Sequence, residues 1–238
     1  MEGPILDIRF ILSTIPEIAT KLPVTLFIAI SATLLGLLLG IIIALLRFFH
    51  IKILSQLSIV FISFVRGTPM VVQLYLVYYG IPIIISAIAR SYGKEFDINL
   101  LPGTFFAILA FGLNTGAYMS ESLRSSLLAV EPGQFEACKS LHYSTWDSLR
   151  KVILPQAFII ALPTLTSALL SMIKNTSLAF CIAVVDLMAQ ARIVGSRSFR
   201  FFEVYVAVSF LYWPVCAIFE RLLLLLEKQL SRFTKTVF

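Results

Sequence analysis

Residues 22–46 read LPVTLFIAISATLLGLLLGIIIALL, twenty-five positions without a single charge. A helix rises about 1.5 Å per residue, so a run of about 20 apolar residues is enough to cross the hydrocarbon of a bilayer. A lone apolar segment in lipid has to satisfy its own backbone amides, which a helix does, and the run lacks the alternation of a barrel strand.

The rest of the chain repeats the pattern. Uncharged runs cover 67–89, 98–120, 152–173 and 204–219, the last resuming over 222–226 after Glu220 and Arg221. Of the 238 residues 59% are hydrophobic and 13% charged, with a mean hydropathy of +0.94. Soluble domains carry roughly a quarter of charged residues. The expected fold is an all-α integral membrane protein, one transmembrane domain over 1–238. Its five transmembrane helices are expected at about 22–47, 58–89, 100–124, 155–175 and 202–228, with a cytoplasmic loop at about 126–155. The uncharged stretch 53–65 is too short to span alone and is expected to lead into the second span as a bent or interfacial helix.

The N-terminal segment reads as retained. The first apolar run is too long for a signal-peptide core, no Ala-x-Ala-like site follows it, and Glu2 and Asp7 do not fit a basic leader. The net charge of +6 does not indicate nucleic acid, because the Lys and Arg residues are scattered between apolar runs instead of gathered with aromatics on one face. With five spans and the N-terminus outside, eleven basic residues fall in inner segments against seven in outer ones. That bias points to an outside N-terminus and a cytoplasmic C-terminus in a bacterial cell membrane. Three widely spaced cysteines, Cys138, Cys181 and Cys216, with only two histidines, indicate neither a disulfide framework nor a metal site. Gly36 with Gly40, and Gly112 with Gly116, form two G-x-x-x-G pairs that fit close helix contacts, within the subunit or with a partner subunit.

One stretch breaks the apolar run of the chain: EACKSLHYSTWDSLRKVILPQ, residues 136–156. Leu127, Val130, Phe135, Ala137, Leu141, Trp146 and Leu149 recur through and before it at roughly helical spacing. Two short amphipathic helices fit, joined at about His142-Tyr143-Ser144, with Ser144 or Thr145 as N-cap of the second and Asp147 in its first turn. Their apolar stripe needs cover, either from the inner ends of the spans and the lipid interface or from a soluble partner.

These residues resemble the EAA loop of ATP-binding cassette importer permeases, Glu-Ala-Ala, three residues, Gly, nine residues, Ile-x-Leu-Pro. Glu136, Ala137 and Cys138 stand at the triplet, His142 at the glycine, Val152 at the isoleucine, and Leu154-Pro155 close the motif at the family's spacing. Histidine is one of the few residues besides glycine that tolerates a left-handed conformation, so the turn can survive with His142 under strain. The resemblance covers nearly the whole chain. Arg66-Gly67-Thr68-Pro69 with Gln73 and Tyr78-Tyr79-Gly80-Ile81-Pro82, Gly116-Ala117-Tyr118 with Glu121 and Arg124, and Lys174-Asn175-Thr176-Ser177-Leu178 are similar to the polar amino-acid uptake permeases.

That resemblance implies five spans per subunit, a second permease subunit, identical or paralogous, two cytoplasmic ATP-binding subunits and an extracytoplasmic amino-acid-binding protein, all set in membrane lipid. The chain contains no G-x-x-x-x-G-K-[ST] loop, so no cofactor is expected in it, and ATP with Mg is expected in the partner ATPase. The coupling residues implied are Glu136, Ala137, Cys138, Leu141, His142, Trp146, Leu154 and Pro155.

Polar side chains inside spans are costly unless paired or lining a cavity. Gln73, Asn114 and Thr115 are therefore candidates for the substrate path or for interhelical hydrogen bonds. Lys174, Thr176 and Ser177 offer donors for an amino-acid carboxylate, while Asn175 stands where the family often has Asp. A neutral amide there disfavours a cationic side chain, so cystine or another neutral polar amino acid is the first expectation. Glu121 and Arg124, three apart on one helix face, form a candidate structural ion pair. No catalytic constellation appears, which disfavours an intramembrane enzyme. The remaining rival is a passive channel or membrane scaffold, since hydropathy does not reveal energy coupling.

Overall fold

The computed structural model describes residues 6–95, 97 and 101–237, with side chains to residue 230. All regular structure among them is helical: α1 Ile8–Ala19, α2 Leu22–Phe48, α3 Lys52–Gly67, α4 Met70–Ser91, α5 Gly103–Leu128, α6 Pro132–Ser140, α7 Thr145–Ser148, α8 Leu154–Asn175, α9 Leu187–Ser198 and α10 Phe201–Val237. A π-helical turn, Leu149–Ile153, joins α7 to α8, and a 3-10 helix, Thr176–Ile182, continues α8. The fold is that of an all-α integral membrane protein.

By length and composition α2, α4, α10 and the continuous helix Thr145–Ile182 are each able to cross a membrane. The third expected span, α5, is not among them, because Asn114 and the glycines and threonines at 103, 104, 112, 115 and 116 lower its hydropathy. Its position explains why it tolerates them. Contacts with α2, α3, α4 and α8 surround it, and Phe106, Ala107, Phe111, Ala117 and Met119 along it are buried. Neighbouring helices replace lipid as its solvent. The expected start of this span, residue 100, lies outside the described residues.

The seam between α2 and α5 is built on small residues. A Cβ at Gly36 would lie 2.8 Å from Thr115 Cβ, one at Gly40 3.0 Å from Met119 Cβ, and one at Gly116 3.0 Å from Leu39 Cβ. Both G-x-x-x-G pairs thus meet each other inside the subunit, where dispersion between close backbones replaces the hydrophobic drive that lipid removes. Outward, Phe27, Leu34, Leu38 and Ile42 form an exposed stripe on α2.

Two expected boundaries shift. The stretch expected as one span over 58–89 is two helices, α3 and α4, separated by extended Thr68 and Pro69. Proline lacks an N–H and pushes the residue before it out of helical geometry, which places the break. Pro82, by contrast, is carried inside α4. The fourth span was expected to begin at Pro155, with the second loop helix separate from it. Instead α7, the π turn and α8 form one helix, and Pro155 falls within its length. The wide turn, in which Leu154 N–H reaches the Leu149 carbonyl, accommodates the missing donor of Pro155.

At the opposite end of the bundle from the loop, α1 lies across α9 and α10. Asp7 accepts the Phe10 N–H at 3.0 Å as its N-cap and pairs with Arg200 at 2.7 Å. Ile11 and Ile18 bury against Leu187, Ala191 and Val204.

Candidate functional site

The 136–156 stretch folds as expected at its turn. His142 has φ of +58°, the left-handed conformation usually supplied by glycine. Its N–H and that of Tyr143 bond back to the carbonyls of Lys139 and Cys138, closing α6. Ser144 caps α7 by accepting the Asp147 N–H at 3.1 Å, and Lys151 pairs with Asp147 at 2.8 Å. His142→Gly is expected to hold or raise the melting temperature of the purified protein. His142→Val is expected to lower it by the equivalent of about 1–2 kcal/mol, the cost of a β-branched residue in this region.

The loop has two faces. One packs on the ends of the spans: Val130, Leu149 and Ile153 join Ala44, Leu123 and Leu127 in one buried cluster, and Phe135 stacks on Phe48 at 6.3 Å. The other presents Leu141, Tyr143 and Trp146 to the outside, with Leu141 69% and Trp146 59% exposed. Of the coupling candidates, Glu136, Ala137, Leu141, His142, Trp146 and Pro155 are exposed. Cys138 is buried and Leu154 half-buried, because each sits on the helix face turned toward the spans.

Between α4, α5 and α8 lies a cavity of about 490 Å³. Asn114, Thr115 and Tyr118 line it from α5, and Ser167, Ser171 and Asn175 from α8. Met70, Met119 and Met172 add three thioethers, and every lining residue is uncharged. Positions 164, 167, 168, 171 and 175 follow the three-to-four spacing of one helix face. That stripe of Thr, Ala, Ser and Asn was the readable signal for Ser167 and Ser171, which sequence reasoning passed over.

The cavity gathers Asn114, Thr115 and Asn175, but not the other four path candidates. Gln73 is buried and committed: its Nε2 donates to the Val65 carbonyl at 2.7 Å and lies 3.0 Å from the Thr68 carbonyl. Its Oε1 accepts from Asn114 Nδ2 at 2.9 Å. It therefore satisfies carbonyls freed by the break before α4 and holds Asn114 in place. Thr176 is fully buried, donating to the Ile173 carbonyl at 3.0 Å with Asp186 Oδ2 at 3.4 Å. Lys174 and Ser177 project from other faces of the helix than Asn175. Asp186, also missed, caps α9 by accepting the Ala189 N–H at 2.9 Å, and burial pushes its carboxyl above the usual carboxylate range against that bond.

Glu121 and Arg124 do pair, at 3.4 Å, but the closer partner of Glu121 is Arg47 at the end of α2. Both Arg47 and Glu121 are largely shielded, with side chains 15% and 24% exposed. Arg47→Met is expected to destabilise by about 1–3 kcal/mol, since it leaves a shielded carboxylate with its weaker partner alone. Arg124→Met is expected to cost less, and thermal unfolding in detergent ranks the two.

Residues 36–232 match the family described as "Binding-protein-dependent transport system inner membrane component". The chain is 37% identical over 226 residues to the "Probable amino-acid ABC transporter permease protein PatM" of Vibrio harveyi, covering 95% of this chain and 97% of that one. It is 35% identical over 226 residues to the "L-cystine transport system permease protein TcyL" of Bacillus subtilis, covering 95% and 92%. Among solved structures, an amino acid ABC transporter with histidines superposes with a TM-score of 0.79 at 31% identity, covering 94% of this chain and 99% of that chain. The MetNI methionine ABC transporter in an inward-facing conformation shares the fold at a TM-score of 0.58 and 15% identity, covering 92% and 98%. With the uncharged cavity, the exposed loop and these likenesses together, the chain belongs to the inner-membrane components of binding-protein-dependent transport systems, among the amino-acid ABC transporter permeases.

Proposed function

We propose that this chain is the membrane-spanning subunit of an ATP-driven importer that takes up a neutral polar amino acid, cystine-like in chemistry, by alternating access. The observation that carries the substrate class is the cavity between α4, α5 and α8, which offers hydroxyls, two amides and three thioethers but no charge. A cationic or anionic side chain entering it would lose water without gaining a countercharge. Asn114, Thr115 and Asn175 are the contacts proposed for substrate. The relation to the cystine permease of Bacillus subtilis supports the same class.

In this reading the exposed face of 136–155 docks on a partner ATPase, which holds ATP and Mg. Two such ATP-binding subunits, a second permease and an extracytoplasmic binding protein complete the transporter. The loop end faces the cytoplasm, with the N-terminus outside and the C-terminus inside. Lys174 and Ser177, away from the cavity, fit the exit from α8 better than a carboxylate site.

The test is uptake in vesicles by the reconstituted complex, measured across a panel of amino acids with and without ATP. Cystine or another neutral amino acid is expected to accumulate against its gradient only with ATP. Accumulation without ATP would establish the passive-channel alternative. Asn175→Asp is expected to shift preference toward lysine or arginine by about fivefold or more, since hydrogen bonds to charged groups exceed neutral ones by about 1 kcal/mol. An unchanged ranking would remove Asn175 from the path.

A further inference from the structure

Beside the transport cavity, and separate from it, a second cleft opens between α2, α3 and α5. It is lined by Arg47, Ile59, Ser63, Arg66 and Glu121, with a volume of about 490 Å³. Its charges do not balance. Glu121 is shared by Arg47 and Arg124, so one carboxylate answers two guanidinium groups. Arg66 forms no ion pair among the described residues; its contact is the face of the Tyr118 ring, 5.7 Å from the centroid. At headgroup level an exposed arginine with no carboxylate beside it is free to attract an anionic headgroup.

The cleft's height is fixed by its anchors. Arg47 stands in the last turn of α2. Tyr118, under Arg66, and Glu121, on Arg47, are three residues apart on α5, less than one turn. Both guanidinium groups therefore lie near the level where α2 ends, at the loop end of the bundle, where lipid headgroups meet the hydrocarbon.

The helical order around α3 points the same way. At about 100° per residue, Ser58, Ile62 and Val65 form its packed face. Ile53, Leu57, Val60 and Phe64 form an outward stripe, each more than half exposed. The cleft residues Ile59, Ser63 and Arg66 fall on the arc between the two. A ligand seated there has its polar end against arginine and its remainder beside an apolar surface. That is the division of an amphiphile, whereas a soluble anion has no use for the stripe.

We propose that this cleft binds the phosphate headgroup of an anionic phospholipid, held by Arg66 with support from Arg47, while the acyl chains lie along Ile53, Leu57, Val60 and Phe64 of α3. Arginine suits the role because its planar fork donates two parallel hydrogen bonds to phosphate oxygens. Ser63 adds a hydroxyl donor from the same arc. The charge selects an anionic headgroup, and the stripe selects a lipid over free phosphate.

Native mass spectrometry of the whole transporter in detergent tests this with three probes. These are phosphatidylglycerol, phosphatidylcholine of the same acyl chains, and soluble glycerol phosphate. Phosphatidylglycerol is expected to remain bound in preference to both others. Arg66→Gln is expected to weaken it by about fivefold, the size of one arginine's attraction to an anionic lipid. Should Arg66→Gln fail to assemble, Ser63→Glu places a carboxylate at an exposed cleft position and is expected to produce the same loss. Equal retention of the two lipids would overturn the proposal, as would glycerol phosphate binding as tightly as phosphatidylglycerol. Efficient Ser63→Cys crosslinking between two permease copies would also overturn it, by showing that protein covers the cleft.

Discussion

Gly36→Leu is expected to leave almost no assembled permease in the membrane, and Gly36→Ala to lower its stability by about 1–3 kcal/mol, the usual cost of overpacking a tight contact. The reason is what the new carbon would meet. At Gly36 it would lie 2.8 Å from Thr115 Cβ and 3.1 Å from the Gly116 backbone nitrogen, and neither is the free end of a flexible side chain. Relief would require α2 and α5 to separate along the seam that holds the centre of the fold. Gly112→Ala is expected to cost a comparable amount, because the new carbon would lie 2.5 Å from Leu35 Cδ2, 2.8 Å from its Cγ and 3.1 Å from its Cβ, so more than the tip of that side chain must move. Gly80→Ala meets nothing within 4 Å and serves as the control. Thermal unfolding in detergent that failed to separate Gly36→Ala from Gly80→Ala would show that the seam does not govern stability.

Trp146→Ala is expected to weaken association with the partner ATPase by about thirtyfold or more, matching the roughly 2 kcal/mol lost when a buried aromatic anchor is removed from an interface. Trp146 is 59% exposed, so its removal leaves the subunit's own packing nearly intact. The melting temperature of the isolated permease should hardly change. That separation of binding from stability distinguishes docking from structure. Leu149→Ala should do the reverse, because Leu149 is fully enclosed with Ala44 and Leu127 in the cluster under the loop. Equal ATPase affinity in wild type and Trp146→Ala would remove the proposed docking face.

The legible parts of this protein were those where one residue type has one physical meaning in lipid. Uncharged runs located α2, α4, α8 and α10, because hydrocarbon tolerates little else. His142 marked a left-handed turn, because few side chains but glycine, asparagine, aspartate and histidine are found there. Ser144 marked the start of α7 by its capping chemistry. What stayed hidden depends on distance through space. Arg47 and Glu121 are 74 residues apart, and only the parallel register of α2 on α5, in which Gly36 meets Thr115 and Gly40 meets Met119, brings them together. Thr176 and Asn175 are adjacent in sequence, yet one is buried beside Asp186 and the other faces the cavity, because successive helical residues point about 100° apart. The continuity of α7 with α8 was hidden by Pro155, whose ordinary reading as a helix start is overruled by the π turn before it.

That turn makes the helix a shaft with a built-in twist. From Thr145 to Asn175 it is about 45 Å long at 1.5 Å per residue, with Trp146 near one tip and Asn175 at the other. A π turn holds one residue more than an α turn, so tightening Leu149–Ile153 to regular α geometry would rotate the Trp146 tip about 100° relative to Asn175. Torque, and not only a lengthwise push, can pass between the two tips.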